Sequence, residues 1–231
     1  MSTVIKTGLH VYDDVAQGTD EWHALRRGIV TASVIDTLIT TKTMKPAAND
    51  TSRALTAHLV AERITGYTEP TFVSADMERG NFDEPFARGI YSEHYAEVTE
   101  VGFMILNHSD YQLGYSPDGL VGDDGLIEIK SRRQKKHLQT ILADEVPAEN
   151  MAQIQCGLLV SGRKWCDYLS YCGGMPMWFK RVLPDQRWFD AIHETVTAFE
   201  ENAAQMIATY NASVTGLPMT ERIELYADME F

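Results

Sequence analysis

The chain has 231 residues, of which 44% are hydrophobic and 23% charged, a balance that supports a sizeable core and excludes a disordered polymer. No apolar run is long enough to cross a bilayer, and the opening MSTVIKTGLH lacks the apolar stretch of a secretory signal, so a soluble cytoplasmic protein is expected. A formal net charge of −13 taken alone counts against nucleic-acid binding and leaves a local basic groove as the only route to DNA.

In chain order, the first predicted element is a helix over about Asp20–Arg27, with acids in its first turn, arginines in its last and Gly28 as its stop. A second helix is expected from Thr31 (TASVIDTLIT), capped by Thr31 or Ser33. TKTMKPAAND reads as a loop. SRALTAHLVAERIT reads as a third helix ending at Gly66. A helical stretch follows from about Asp76 to Glu100, with Phe82, Phe86, Ile90 and Tyr91 expected on its buried side. Pro85 is expected to kink it or to start a new segment.

The periodicity then changes. VGFMILN, YQLGYS and LIEIK read as strands, and Asp123-Asp124-Gly125 as the turn before the last. A helix over about Ala148–Ser161, strands near Trp165–Cys172 and Met177–Leu183, and a long amphipathic helix over about Asp185–Tyr210 complete the order. This order predicts an α/β fold with a mixed central sheet flanked by helices, in one domain: a core over about 18–210 and an acidic tail over 211–231. The cysteines, Cys156, Cys166 and Cys172, match no zinc spacing and read as reduced core thiols.

The most informative residues are Ser116-Pro117-Asp118-Gly119 and Glu128-Ile129-Lys130. Strand alternation puts Glu128 and Lys130 on one exposed face, about 6–7 Å apart, with Ile129 turned into the core. The 123–125 turn folds Asp118 back beside Glu128. Two apposed carboxylates repel unless a cation compensates, and a hard divalent ion with oxygen ligands does so. Lys130 would then orient or deprotonate a water, or neutralise charge on a phosphoryl group. By themselves these three residues fit an ordinary turn Asp and a solvated Glu–Lys strand pair better, since the pattern is short and permissive.

Arg26 and Ser33 flank the junction of the first two helices, where a guanidinium fork and free helix-start amides could hold an anion. A helix stop and a cap are the plainer reading. Gln153 could donate to a phosphate or to an attacking water, but a partly exposed helical amide is the plainer reading. SRRQKKH, including Arg132 and Arg133, is the densest basic tract and directly follows Lys130, so it reads either as a contact for a DNA backbone or as a solvated loop.

Taken together, the motifs resemble a known family. Ser116-Pro117-Asp118 with Glu128-Ile129-Lys130 resembles the PD-(D/E)xK nuclease signature. With Gly18-Thr19-Asp20-Glu21-Trp22-His23, Leu25-Arg26, Gly28, Thr31-Ala32-Ser33 and Met151-Ala152-Gln153-Ile154-Gln155, the set is similar to phage lambda exonuclease and the YqaJ-type viral recombinases over roughly Gly18–Tyr210. The resemblance implies a restriction-endonuclease-like core and 5′-to-3′ degradation of one strand of duplex DNA to 5′-mononucleotides, leaving 3′ single strands. It also implies two Mg²⁺ or Mn²⁺ ions, a ring-shaped homotrimer and a single-strand annealing protein as partner.

By position, the resemblance makes Asp118, Glu128 and the Ile129 carbonyl metal ligands, Lys130 the catalytic lysine and Glu84 a further active-site acid. It assigns Arg26, Ser33, Ser116 and Gln153, with Thr31 beside them, to a pocket for the DNA 5′-phosphate, and Met77 to an apolar wedge between strands. Arg79 stands where an aromatic is expected, and Pro85 follows Glu84 directly. Some relatives carry an iron–sulfur cluster on four cysteines, which three cannot supply. The rival expectations are an endonuclease cutting internally and a non-catalytic DNA-end binding protein.

Overall fold

A computed structural model describes residues 8–70 and 72–223; part of the acidic tail lies outside them. The first strand, β1 (Gly8–Tyr12), had no clear signal in the sequence. Helix α1 spans Asp20–Arg26 and is capped by Thr19, whose side chain accepts from the Trp22 amide. The expected helix from Thr31 is not formed. Val30–Thr31 is instead a short strand, β2, parallel to a later strand, and the helix, α2, is only Ile35–Leu38. The β-branched run Ile29-Val30-Thr31 favours extended backbone once a sheet edge is available for pairing. The presumed loop after it holds a two-residue ladder of β3 (Ile39–Thr40) and β4 (Lys45–Pro46).

Helix α3 (Asp50–Thr65) opens on a capping box between Asn49 and Ser52 and closes on left-handed Gly66. Helix α4 (Ala75–His94) runs without interruption through Pro85. Pro85 removes only the bond to the Asn81 carbonyl, and both residues lie on the exposed side, where water can satisfy that oxygen. The expected buried side of α4 is corrected here. Ala87 and Tyr91 are buried, whereas Phe82, Phe86 and Ile90 are exposed, with Phe82 at 69%.

Strands β5 (Phe103–Asn107), β6 (Gln112–Tyr115), β7 (Gly119–Val121) and β8 (Gly125–Ser131) follow. The basic tract is not a loop throughout, because helix α5 starts within it (Gln134–Ala143). Then come α6 (Met151–Ser161), β9 (Trp165–Tyr171), β10 (Trp178–Val182) and α7 (Gln186–Ser213). The mixed α/β expectation holds, with strands paired in two four-stranded sheets ordered β1-β5-β6-β2 and β10-β9-β8-β7. Each sheet contains one parallel pair, β2 with β6 and β8 with β9. The β8-to-β9 crossover carries α5 and α6, as parallel pairing requires.

One core cluster joins Val30, Leu113, Tyr115, Leu126 and Tyr168 to α3, α6 and α7. A smaller one lies between α4 and the second sheet, built on Ala87, Tyr91, Ile127, Ile129 and Leu169. At its centre the Tyr91 hydroxyl donates to buried Asp167 at 2.7 Å, and Asp167 also accepts two bonds from Arg181. Tyr91→Phe leaves that carboxylate one donor short and should lower unfolding free energy by about 1.5–3 kcal/mol in denaturant titration. The three cysteines are free and buried, as core thiols. Among the described residues no helix is long and apolar enough to cross a membrane.

Candidate active site

The site forms where the chain passes from one sheet to the other. β6 ends at Tyr115 in the first sheet and β7 begins at Gly119 in the second, so Ser116-Pro117-Asp118 bridges them. The Gln17 side-chain amide holds this bridge by donating to the Pro117 carbonyl at 3.1 Å. β7 pairs antiparallel with β8 in the register Gly119↔Ile127. Continuing that register by one residue sets Asp118 opposite Glu128. The Asp118 carboxylate takes the next strand position itself, accepting from the Ile129 amide at 2.6 Å.

Glu128 is fully buried, which corrects the expectation of an exposed strand face. Neither of its carboxylate oxygens has a hydrogen-bond partner among the described residues. The Lys130 ammonium lies 2.6 Å from one of them, as an ion pair. Burial and the neighbouring Glu128 charge hold the Asp118 carboxyl well above the usual carboxylate range, against the opposing pull of Lys130. Burial by itself would lower Lys130, but the Glu128 and Asp118 charges outweigh it and the ammonium is held above its ordinary range. The local charge balance is therefore buried Glu128 and half-buried Asp118 against one amine.

Glu84 stands beside this pair. Burial pushes its carboxyl up, Arg88 pulls it down, and the Glu128 charge adds to the rise. Arg88, one helical turn on, pairs with Glu84 and with Glu100 (2.8 Å) and donates to the Asp118 carbonyl at 2.8 Å. Sequence reasoning missed Arg88, although its i,i+4 spacing from Glu84 was visible.

The second cluster is centred on Arg26. Its guanidinium donates to Ser116 Oγ at 3.3 Å and Ser33 Oγ at 3.1 Å, and Thr31 Oγ1 lies 3.0 Å from Ser33 Oγ. Trp22, also missed, donates its indole N–H to Ser116 Oγ at 2.9 Å, and its ring lies under the guanidinium at 4.1 Å. Burial lowers Arg26 to about 10, against the Glu62 charge. The anion-binding groups are thus side chains. Of the amides leading into α2, Ala32 N–H is taken by the Gly114 carbonyl and Val34 N–H by the Thr31 carbonyl.

Gln153 sits in the first turn of α6, half-buried and without a side-chain hydrogen bond among the described residues. Met77 is exposed in the first turn of α4. Arg132 is drawn inward by Asn150 Oδ1 at 2.6 Å and the Tyr168 hydroxyl at 3.1 Å, unlike a free surface contact. Arg133 is exposed and pairs with Asp76 at 2.8 Å, and Arg79 donates to Ser131 Oγ at 3.0 Å. Arg26, Ser33, Thr31 and Ser116 therefore gather in one cluster and Asp118, Glu128, Lys130 and Glu84 in another. Met77, Arg133 and Arg79 belong with the α4–β8 flank.

Acids and a lysine on a short strand–turn–strand unit of a mixed sheet flanked by helices are the arrangement of the restriction-endonuclease-like fold. A family model for the YqaJ-like viral recombinase domain matches residues 21–164, and the chain belongs to that family. Among solved structures it is similar to an alkaline exonuclease (LHK-Exo) from Laribacter hongkongensis, at 33% identity and a TM-score of 0.75, covering 87% of this chain and 100% of that one. The same enzyme in complex with dAMP aligns at 35% identity and a TM-score of 0.74 over the same shares. A phage-related exonuclease from Haemophilus somnus 129PT shares the fold at 13% identity and a TM-score of 0.61, over 79% of this chain and 96% of that one. A search of curated proteins finds no match.

Proposed function

We propose that the chain is a Mg²⁺-dependent exonuclease that degrades one strand of linear duplex DNA from its 5′ end, releasing 5′-mononucleotides and leaving 3′ single strands for recombination. The carrying observation is the three-residue bridge. Ser116 belongs to the Arg26 cluster, while Asp118 belongs to the acid–lysine cluster. Two extended residues reach about 6–7 Å. The bridge therefore suits a terminal phosphate held by Arg26, Ser33 and Ser116 while the next phosphodiester meets the acids. An internal cutter has no use for the first cluster. Family membership and the exonuclease relatives support the same reading, and one relative was solved with a deoxynucleoside monophosphate.

The donors present fit a hard divalent cation. Glu128 has two buried oxygens without hydrogen bonds, one of them ion-paired to Lys130, next to an Asp118 carboxyl raised by burial and by the Glu128 charge. Among the described residues no three His, Cys, Asp or Glu side chains lie close enough to hold an ion together, so Glu84 feels the Glu128 charge without joining the donor set. Mg²⁺ characteristically takes one or two carboxylates and completes its shell with water and phosphate oxygens. Asp118, Glu128 and the Ile129 carbonyl would hold it, with Mn²⁺ as an alternative; a second ion rests on family likeness alone. When bound, such an ion activates water and stabilises charge on the phosphoryl group.

The residues of the chain do the rest. Lys130, held protonated, places a positive charge where negative charge develops on the phosphate. Arg88 fixes the Asp118 backbone and holds Glu84 beside the pair. Arg26 and the hydroxyls hold the chain end. Assembly as a homotrimeric ring and cooperation with a single-strand annealing protein complete the proposal and rest on family likeness. A ring would also confine basic groups to its channel in a chain of net charge −13.

The deciding experiment follows 5′-phosphorylated linear duplex, labelled separately at each end, with and without Mg²⁺. Loss of the 5′ label as mononucleotide with retention of the 3′ label is expected, and prompt nicking of closed circles refutes the reading. Arg26→Ala should raise KM for 5′-phosphorylated ends by on the order of tenfold or more, with Arg26→Lys a poor rescue because an ammonium lacks the two-pronged fork.

A further inference from the structure

The turn that carries Arg26 is held from behind by residues that touch neither cluster. Gly28 ends the turn after α1 with φ +67, a left-handed conformation that favours glycine. Its N–H donates to buried Glu62 Oε2 at 2.7 Å, and its carbonyl accepts from Arg63 Nε at 2.6 Å. Adjacent residues of α3 thus grip both polar groups of one glycine. Arg63 is itself anchored, its two terminal nitrogens donating to the Glu200 carboxylate of α7 at 2.6 and 2.7 Å. The fit is close. A Cβ at Gly28 would lie 2.4 Å from Arg63 Cγ and 3.2 Å from the Leu59 carbonyl.

We propose that Glu62 and Arg63 are positioning residues which, by clamping Gly28, set the Arg26 guanidinium against Ser116 and Ser33 and thereby fix the preference of the enzyme for phosphorylated DNA ends. The Ile29 N–H closes the turn onto the Arg26 carbonyl at 3.1 Å, so a shift at Gly28 moves the end of α1 that bears Arg26 and the start of β2 that leads to Thr31 and Ser33. Without the clamp, the guanidinium keeps Trp22 beneath it but loses its fixed aim. Glu62 acts on Arg26 by charge as well, favouring the cation that burial disfavours.

This inference rests on the proposed 5′-phosphate role of Arg26, and the test separates the two. KM and kcat are measured on linear duplex with 5′-phosphate and with 5′-hydroxyl ends for wild type, Arg26→Ala, Glu62→Ala and Glu62→Gln. Glu62→Gln keeps an acceptor for the Gly28 N–H and the side-chain volume, so it guards against a folding failure of Glu62→Ala. Glu62→Ala should lose most of the phosphate preference, roughly tenfold, in KM rather than in kcat, with Glu62→Gln recovering a large part. If Arg26→Ala removes the preference while Glu62→Ala and Glu62→Gln both retain it in full, the clamp is structural only and the inference falls. If Arg26→Ala itself retains it, the phosphate role of Arg26 falls first and the inference with it. A Glu62→Ala loss appearing equally on both kinds of end also overturns it.

Discussion

Asp118→Asn should reduce nucleotide release by roughly a thousandfold or more while the protein still binds DNA ends, because one of two anionic ligands disappears and the arginine pocket stays intact. The Asn side-chain oxygen can still accept from the Ile129 amide, so the strand geometry survives. The same variant should be more stable than wild type without metal. Asp118 is raised by burial and by Glu128. A carboxyl whose folded pKa lies above its unfolded value, about 3.9, favours folding when protonated. Its penalty is absent at lower pH, grows as pH climbs toward the raised value and is constant above it. In chelator, wild-type melting temperature should therefore fall as pH rises from about 4 toward neutrality through this group, and Asp118→Asn should show a flatter profile. An active Asp118→Asn enzyme would remove the acid pair from the chemistry.

Mg²⁺ should stabilise the wild-type protein, and more strongly at pH 8 than near pH 5. A cation at the two acids competes with protons for them, and burial and the Glu128 charge raise the proton affinity of Asp118. At about a hundred times its dissociation constant, an ion that binds only the folded state adds about 2.7 kcal/mol. For a chain of this size that corresponds to roughly 5–10 °C in melting temperature. Asp118→Asn and Glu128→Gln should each lose most of the shift, while Arg26→Ala should keep it because its cluster lies apart. Equal shifts in all four proteins would place the ion elsewhere. The readout is thermal unfolding, so it stands whether or not the preparation turns over DNA.

Much of the candidate site was legible because its residues are close in sequence and obey strand alternation. Asp118, Glu128 and Lys130 fall together through one two-strand unit whose turn, Asp123-Asp124-Gly125, is written in the residues. The burial of Glu128 was not legible. It depends on neighbours supplied by other segments: β9 pairs with β8 along its length, and buried Tyr115 and Cys166 lie near enough to feel the Glu128 charge. Arg88 and Trp22 each lie one helical turn from a residue already singled out, yet their partners, the Asp118 carbonyl and Ser116, are distant in sequence. The face of α4 was misjudged for a related reason. Phe82, Phe86 and Ile90 have helical spacing, but the second sheet packs against Ala87 and Tyr91, whose small side chain and hydroxyl fit Asp167 and the sheet surface.

The sequence by itself determined the long helices, the main strands and the mixed α/β class, since these follow from hydrophobic period, caps and turn residues acting over a few positions. It also determined which acids and which lysine share one strand unit. Tertiary structure alone decided that Val30–Thr31 pairs as a strand instead of opening a helix, that Arg132 turns inward, and that Ser116 and Asp118 join two sheets with different partners. The reason is physical. Short segments have weak intrinsic preferences, and a sheet edge, a buried acceptor or a helix distant in sequence supplies the free energy that selects among them.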